Sequence, residues 1–442
     1  MVVACWCRVS RHRPWPMPWW RCCLSRHPIG LGDQIWPTPA HMLIRGKTPH
    51  KDCWVCCKTT QPKPGSADHM DDNRRQVMGL LGLPMDRLTL QEATDRVRQA
   101  VRQKQRLFLS TPNLNFLMGC QTDLAFRLSV IDSDLSTADG MPLIWMSRWL
   151  GAPLPERVTG SNIFEKLEND ALAPGEMPLR VYFFGGPDGA AEQAAENLTK
   201  NTKNMVCVGH ASPGFGSVDT LSAPHFIDHI NASQADILVV AMGAVKGQAW
   251  LQKNRATIVV PVISHLGAVI NFAAGTVLRA PLWVQRTGLE WLWRIKEEPA
   301  LWRRYGQDAL AFVRLFAKQL LPYMVWTWMR RWQPAQQMAR LWVESADERD
   351  HMVRLDGAWR ASDVERCHAG FDQIKNGQGA VTVNLTNVTD MGPELAGELL
   401  DLCRCLRAQQ RSLSLLAGDG MAKRLLHWHG LTFLLTMQGE QR

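Results

Sequence analysis

Apolar residues recur along the middle of this chain in two alternating rhythms. Leu90, Ala93, Val97, Ala100 and Val101 stand three or four apart, which lays an apolar face along a helix following Leu83-Pro-Met-Asp86. Arg106-Leu-Phe-Leu-Ser-Thr111 is a short apolar run and predicts a strand. Residues 123–132 read as a helix and Ser133–Gly140 as a strand ending in a turn. Leu179–Gly186 predicts a strand running into glycines, the Ala/Glu-rich stretch 188–203 a helix, and Met205–Gly209 a short strand. Asp236–Gly243 and Thr257–Ser264 read as strands around a helix near 246–254. Strands alternating with helices of this length predict an α/β fold with a mainly parallel, Rossmann-like sheet. Ligands of such sheets bind beyond the carboxyl ends of the strands, where Thr111, Asp139, Gly185 and Gly243 fall.

The flanks of that region follow neither rhythm. Residues 1–77 hold six Trp, nine Pro and seven Cys and show no periodicity, which predicts a disordered or non-native extension, with Met70 or Met78 as more natural starts. Cys53, Cys56 and Cys57, with His50, have a zinc-like spacing, but the second Cys/His pair that such a site needs is missing, so no metal is expected. The other five cysteines are scattered, as in a reduced cytosolic compartment. Residues 279–340 are basic and helical in pattern and carry seven Trp. A polar bridge, 344–350, leads to a last unit at about 351–435. The whole chain has 442 residues, 46% hydrophobic and 21% charged, enough for a sizeable core. A mean hydropathy of −0.18 excludes a multi-span membrane protein. The net charge of +9 suits an anionic partner: nucleic acid, acidic lipid or a phosphorylated substrate.

Four constellations carry candidate chemistry. Asp139-Gly140 at a strand end offers a carboxylate able to take a proton from a hydroxyl; taken alone it is better explained by a turn that caps a helix. Thr111-Pro-Asn113 offers a hydroxyl and an amide, or a plain turn. Gly185-Gly186 and Gly243-Ala-Val-Lys246 are loops whose backbone N–H groups can approach a phosphate, although neither is a P-loop or GxGxxG motif. From Arg279 through Arg304, and on through Phe312, Leu315, Phe316, Leu320, Trp326 and Trp328, basic residues stand beside an apolar face. That pattern fits a helix lying on an anionic membrane, or one packed on the core. No nucleic-acid fold signature accompanies it, and no nucleic-acid partner is expected.

Read together and in order, these stretches resemble the WecG/TagA/CpsF glycosyltransferases over residues 78–315. The resemblance rests on Thr111-Pro-Asn113, Ala138-Asp139-Gly140, Leu150-Gly-Ala-Pro-Leu-Pro-Glu-Arg157-Val-Thr-Gly160-Ser161, Phe184-Gly185-Gly186 and Gly243-Ala-Val-Lys246. Ala274-Gly275, Arg279-Ala-Pro281, Gly288-Leu-Glu290-Trp291, Glu298-Pro299 and Arg303-Arg304-Tyr305 close the series. It implies a glycosyltransferase domain over 78–332 whose helical appendage, from about 279, closes over the site and touches the membrane. The implied reaction is an inverting, metal-free and cofactor-free transfer of an N-acetylhexosamine, usually N-acetylmannosamine. The donor is a UDP-sugar and the acceptor a polyprenyl-diphosphate-linked sugar, at the inner face of the cytoplasmic membrane. By the same resemblance Asp139 is the base, Arg157 stabilises the leaving diphosphate, and Thr111 and Asn113 line the pocket. Gly140, Gly185, Gly186, Gly243 and Lys246 join the substrate site, together with Arg279, Arg294, Arg303 and Arg304 of the appendage. The family's Gly-x-Pro-Lys-Gln-Glu loop reads Gly243-Ala-Val-Lys-Gly-Gln248 here, and a common Asp is Asn271. Those departures leave an alternative, a catalytically impaired scaffold of a polysaccharide assembly complex.

Residues 351–435 resemble a STAS domain, a small α/β fold. The resemblance rests on the strand Ala380–Asp390, a helix over 394–409, the strand Ser412–Leu416 and a helix over 420–428. Signalling members carry Asp-Ser-Ser-Gly where this chain reads Asp390-Met391-Gly392-Pro393, so no hydroxyl is presented for phosphorylation. The resemblance therefore implies a module that docks a protein partner or a second copy. A chain ending near Glu344 is expected to keep the sugar transfer.

Overall fold

A computed structural model of the chain describes residues 75–172, 175–202, 204–297, 299, 301–330, 338–345 and 350–436. The expected N-terminal extension with its Cys53–Cys57 cluster lies outside the described residues up to 74, as do Glu298, Arg331 and Trp332. The fold begins before Met78. Strands β1 (Val77–Leu80) and β2 (Leu83–Asp86) form an antiparallel hairpin through Leu81 and Gly82, both at positive φ. Every residue of both strands is buried, so the segment lacks the polar alternation that reveals a half-exposed strand.

The predicted parallel sheet follows. β3 (Leu107–Ser110), β4 (Leu135–Ser136), β5 (Leu179–Gly185), β6 (Met205–Ala211), β7 (Ile237–Ala241) and β8 (Val262–His265) lie in the order β4-β3-β8-β7-β5-β6, every pairing parallel. Two strands are shorter than their apolar runs suggest: 133–140 pairs only at Leu135–Ser136, and 257–264 only from Val262, just after Pro261. Helices cover both faces. One of them, Leu90–Gln103, starts with a capping box in which Thr89 and Glu92 satisfy each other's backbone N–H.

The appendage begins with helices Leu282–Thr287 and Glu290–Glu297 and continues with Leu301–Leu315, a π-helical turn Phe316–Leu320 and Leu321–Arg330. Its apolar positions divide between the two settings the sequence allows, core and surface. Leu315 and Leu320 are buried, and Phe312 and Phe316 pack against the core. Exposed apolar positions of the last three segments include Trp302, Leu310, Val313, Leu321, Val325 and Trp328.

The C-terminal unit starts earlier than 351. β9 (Arg340–Ser345) takes in Glu344 and Ser345, which the sequence assigns to a bridge. With β10 (His351–Trp359), β11 (Val381–Met391) and β12 (Leu413–Leu416) it forms a sheet of order β12-β11-β10-β9. β9 joins antiparallel and the other pairs are parallel. Helix Pro393–Ala408 is buried over most of its length, because the β1–β2 hairpin lies against it. A Cβ on Gly397 would come within 2.2 Å of the Val77 carbonyl oxygen, so only glycine lets the two backbones approach. Arg407 donates two hydrogen bonds to Asp132, at 2.8 and 2.9 Å, and Arg75 bridges Asp86 (2.9 Å) and Asp401 (3.5 Å). One apolar cluster runs from Met78, Leu80 and Met85 to Leu395, Leu399 and Leu402.

Candidate active site

A cleft of about 530 Å³ opens beyond the carboxyl ends of β3, β5, β7 and β8. Thr111, Asn113, Asp139, Gly185, Gly186, Gly243 and Lys246 line it from the sheet side, and Arg294 and Arg304 line it from the appendage. Asp139 is held by its own N–H, which donates to the Pro112 carbonyl at 2.8 Å. Burial and the neighbouring Glu290 carboxylate push its carboxyl up to about 7, against the pull of Arg157, Arg294 and the Gly160 N–H. At neutral pH this group exchanges a proton readily, as an ordinary aspartate does not.

The other groups around the cleft are ordered by local bonds. Asn113 caps helix Leu114–Thr122 through Oδ1, which accepts from the Phe116 N–H at 3.1 Å. Gly185 has φ 96°, and a Cβ there would lie 2.4 Å from the Ala241 carbonyl oxygen; Gly186 N–H donates to that same oxygen at 2.7 Å. Gly243 begins helix Ala244–Asn254, and Lys246 in its first turn donates to the Gly216 carbonyl at 2.9 Å. The helix expected near 246–254 therefore starts earlier, at Ala244, and takes in the whole stretch 245–248. Gln248 is buried there and donates to the Ser110 hydroxyl at 2.7 Å.

Four expected site residues stand outside the cleft lining. Arg157 donates to Glu290 at 2.7 Å, tying the loop before helix Gly160–Asn169 to helix Glu290–Glu297. Arg279 pairs with Glu165 and Asn162 and faces a separate cavity beside Phe164, Asn197 and Phe272. Arg303 lies over the Trp302 ring, and Gly140 begins helix Met141–Trp149.

Sequence reasoning missed three groups. His265, at the end of β8, lines the cleft and is buried, which pushes its imidazole down to about 4 and keeps it neutral. A Cβ on Gly247 would fall 2.1 Å from the His265 ring, so the glycine at this position makes room for the histidine. Its position at a strand's carboxyl end is the signal that would have found it. Asn115, also in the cleft lining, donates through Nδ2 to Asp308 of the appendage at 3.2 and 3.3 Å. Their separation in the chain hides this pair. Glu290 is named by its motif, but its place beside Asp139 and Arg157 is visible only in the fold.

A model of the Glycosyl transferase WecG/TagA/CpsF family matches residues 78–324. The N-acetylglucosaminyldiphosphoundecaprenol N-acetyl-beta-D-mannosaminyltransferase of Bacillus spizizenii is 26% identical over 202 residues, 46% of this chain and 76% of the relative. The protein of the same name from Bacillus subtilis is 24% identical over 204 residues, 46% of this chain and 77% of its own. That of Staphylococcus aureus is 22% identical over 230 residues, 52% and 86%. Among solved structures, the anti-sigma factor antagonist SpoIIAA in its unphosphorylated form is 19% identical and covers 21% of this chain and 82% of its own. Its TM-score is 0.20, a likeness too slight to decide anything.

Proposed function

The chain belongs to the WecG/TagA/CpsF family and is a glycosyltransferase, and we propose that it moves an N-acetylhexosamine from a UDP-sugar to a polyprenyl-diphosphate-linked sugar. N-acetylmannosamine is the donor sugar we favour, on the names of the relatives. The observation that carries this reading is one cleft in which a carboxyl near 7 faces the cations of Arg294, Arg304 and Lys246. In the proposed step Asp139 takes the proton of the acceptor hydroxyl as that oxygen attacks the anomeric carbon from the side opposite UDP. The bond to the diphosphate breaks, UDP leaves with the electron pair, and the configuration inverts. Arg294, Arg304 and the N–H groups in the first turn of helix Ala244–Asn254, after Gly243, stabilise the charge that develops on the leaving group, without a metal. The leaving-group role expected of Arg157 passes to these groups, and Arg157 acts through Glu290. The test is incubation with a lipid-diphosphate-linked GlcNAc and a panel of UDP-sugars, with and without EDTA. UDP release with EDTA present is expected. Binding without turnover would mean a scaffold instead, and loss of activity in EDTA would overturn the metal-free step.

The reaction should depend on pH with a known sign. The base works deprotonated, so kcat/KM should rise with pH through an inflection near 7 and level off above it. Glu290→Gln removes a like charge and releases Arg157 toward Asp139, so both changes move the inflection to lower pH. A profile that keeps its inflection in this variant would show that Glu290 is not coupled to the base.

No helix among the described residues is long and apolar enough to cross a membrane. We place the protein on the inner face of the cytoplasmic membrane through the exposed appendage face, where Trp302, Leu310, Val313 and Trp328 stand with Arg303, Arg314 and Lys318. Each basic side chain near an anionic surface adds about 1 kcal/mol. Arg314→Glu with Lys318→Glu should move the protein from the pellet of anionic liposomes to the supernatant. An unchanged pellet at low salt would contradict this.

A further inference from the structure

The helical segments Leu301–Leu315, Phe316–Leu320 and Leu321–Arg330 follow one another without a break. They make one rod, roughly 45 Å long at about 1.5 Å per residue. Its first part serves the cleft: Arg304 lines it, and Asp308, one turn on, accepts from Asn115. Apart from that bond and the packing of Ala311 and Phe312 against the core, this part is lightly supported. Helix Leu301–Leu315 buries only Asp308 and Leu315, and helix Glu290–Glu297 before it buries nothing fully. Segments with so little buried surface open easily unless something else holds them.

The hold comes from the far end. Leu315, Leu320 and Tyr323 are buried in the cluster shared with the C-terminal unit. Tyr323 donates its hydroxyl to the Met391 carbonyl at 3.2 Å and stands edge-on to His429, ring centres 4.7 Å apart. His429 reaches the same carbonyl through Nε2 at 2.9 Å, and since a carbonyl only accepts, that nitrogen carries the hydrogen. Trp326 lies 6.1 Å from Trp428, and Arg330 donates to the Thr389 carbonyl at 3.4 Å.

We propose that the C-terminal unit is an internal clamp on this rod. Its partner is the catalytic part of the same chain, and Tyr323 and Trp428 are positioning residues that seat Arg304 at the donor's diphosphate. The second half of this statement rests on the function proposed above; the first does not. The helix Pro393–Ala408 is covered by the hairpin, by Arg75 and by Asp132 of the same chain.

The test uses the full chain carrying Tyr323→Phe or Trp428→Ala, first checked for a cooperative melt. Tyr323→Phe keeps every atom but the hydroxyl, so it carries the test should Trp428→Ala fail to fold. Amide hydrogen exchange across 301–312 should rise about fivefold or more, the scale of one lost hydrogen bond, while the sheet strands stay protected. UDP binding, measured by calorimetry, should weaken about fivefold in the wild-type background and hardly at all when Arg304→Ala is already present. Unchanged exchange over 301–312 would overturn the clamp. Equal weakening in both backgrounds would overturn the route through Arg304. A wild-type chain that binds no UDP would instead refute the donor reading, with the exchange result still deciding the clamp.

Discussion

Asp139→Asn will lower the release of UDP by about 10²–10⁴-fold, the usual cost of losing a general base. The substitution keeps the size of the side chain and removes only its ability to accept the acceptor's proton. It should not harm the fold, and the sign of the effect on stability can be worked out. Burial and Glu290 raise the carboxyl from 3.8 to about 7. A raised carboxyl contributes most below the unfolded value, and that contribution is lost as pH climbs through the folded one. The wild type should therefore lose stability relative to the Asn variant between about pH 4 and pH 7, and the difference should stay constant above that range. Melting curves at pH 5 and pH 8, taken beside the UDP assay, check both halves. Turnover close to wild type would remove Asp139 from the base role. An Asn variant less stable at pH 8 than at pH 5, relative to wild type, would mean that the carboxyl is not held above its ordinary value.

The strand ends that carry the cleft were legible because each follows a short apolar run bounded by a turn. Thr111, Asp139, Gly185 and Gly243 come out of that rule directly, and the fold brings all four to one opening. What could not be read is what depends on contacts between distant residues. Arg279 and Arg304 look alike in the sequence, two arginines in one basic stretch; Glu165 draws the first into a separate cavity and the Asn115–Asp308 bond keeps the second over the cleft. The appendage's apolar residues fit either a membrane-facing stripe or one packed on the core. Phe312, Leu315, Phe316 and Leu320 face the core while Trp328 stays exposed, and on that side the C-terminal unit offers Met391, Trp428 and His429 to Tyr323. The β1–β2 hairpin escaped notice for the same reason. Its residues are apolar on both faces because helix Pro393–Ala408, more than 300 positions later, covers one of them.

A chain ending at Glu344 will not give a soluble, active enzyme, contrary to what a detachable module would allow. The cut leaves β9 without β10, the strand it pairs with among the described residues. It also strips the cover from Met78, Leu80, Leu83 and Met85, each fully buried in the whole chain, and from Leu315, Leu320 and Tyr323 of the rod. Exposing one such side chain costs about 1.5–3 kcal/mol. A whole domain is stable by only about 5–15 kcal/mol, so uncovering a few of them is enough to unfold it. The charged contacts fail as well: Asp132 loses both hydrogen bonds from Arg407, and Arg75 loses Asp401. Expression of the truncated chain should yield aggregate, or a form that binds hydrophobic dye and melts without a cooperative transition. Supplying residues 338–442 as a separate chain should restore part of the soluble fraction, since the missing surface is the hairpin's own partner. A truncated protein that is monodisperse, melts cooperatively and turns over UDP-sugar as the full chain does would show that the two parts share a surface without depending on it.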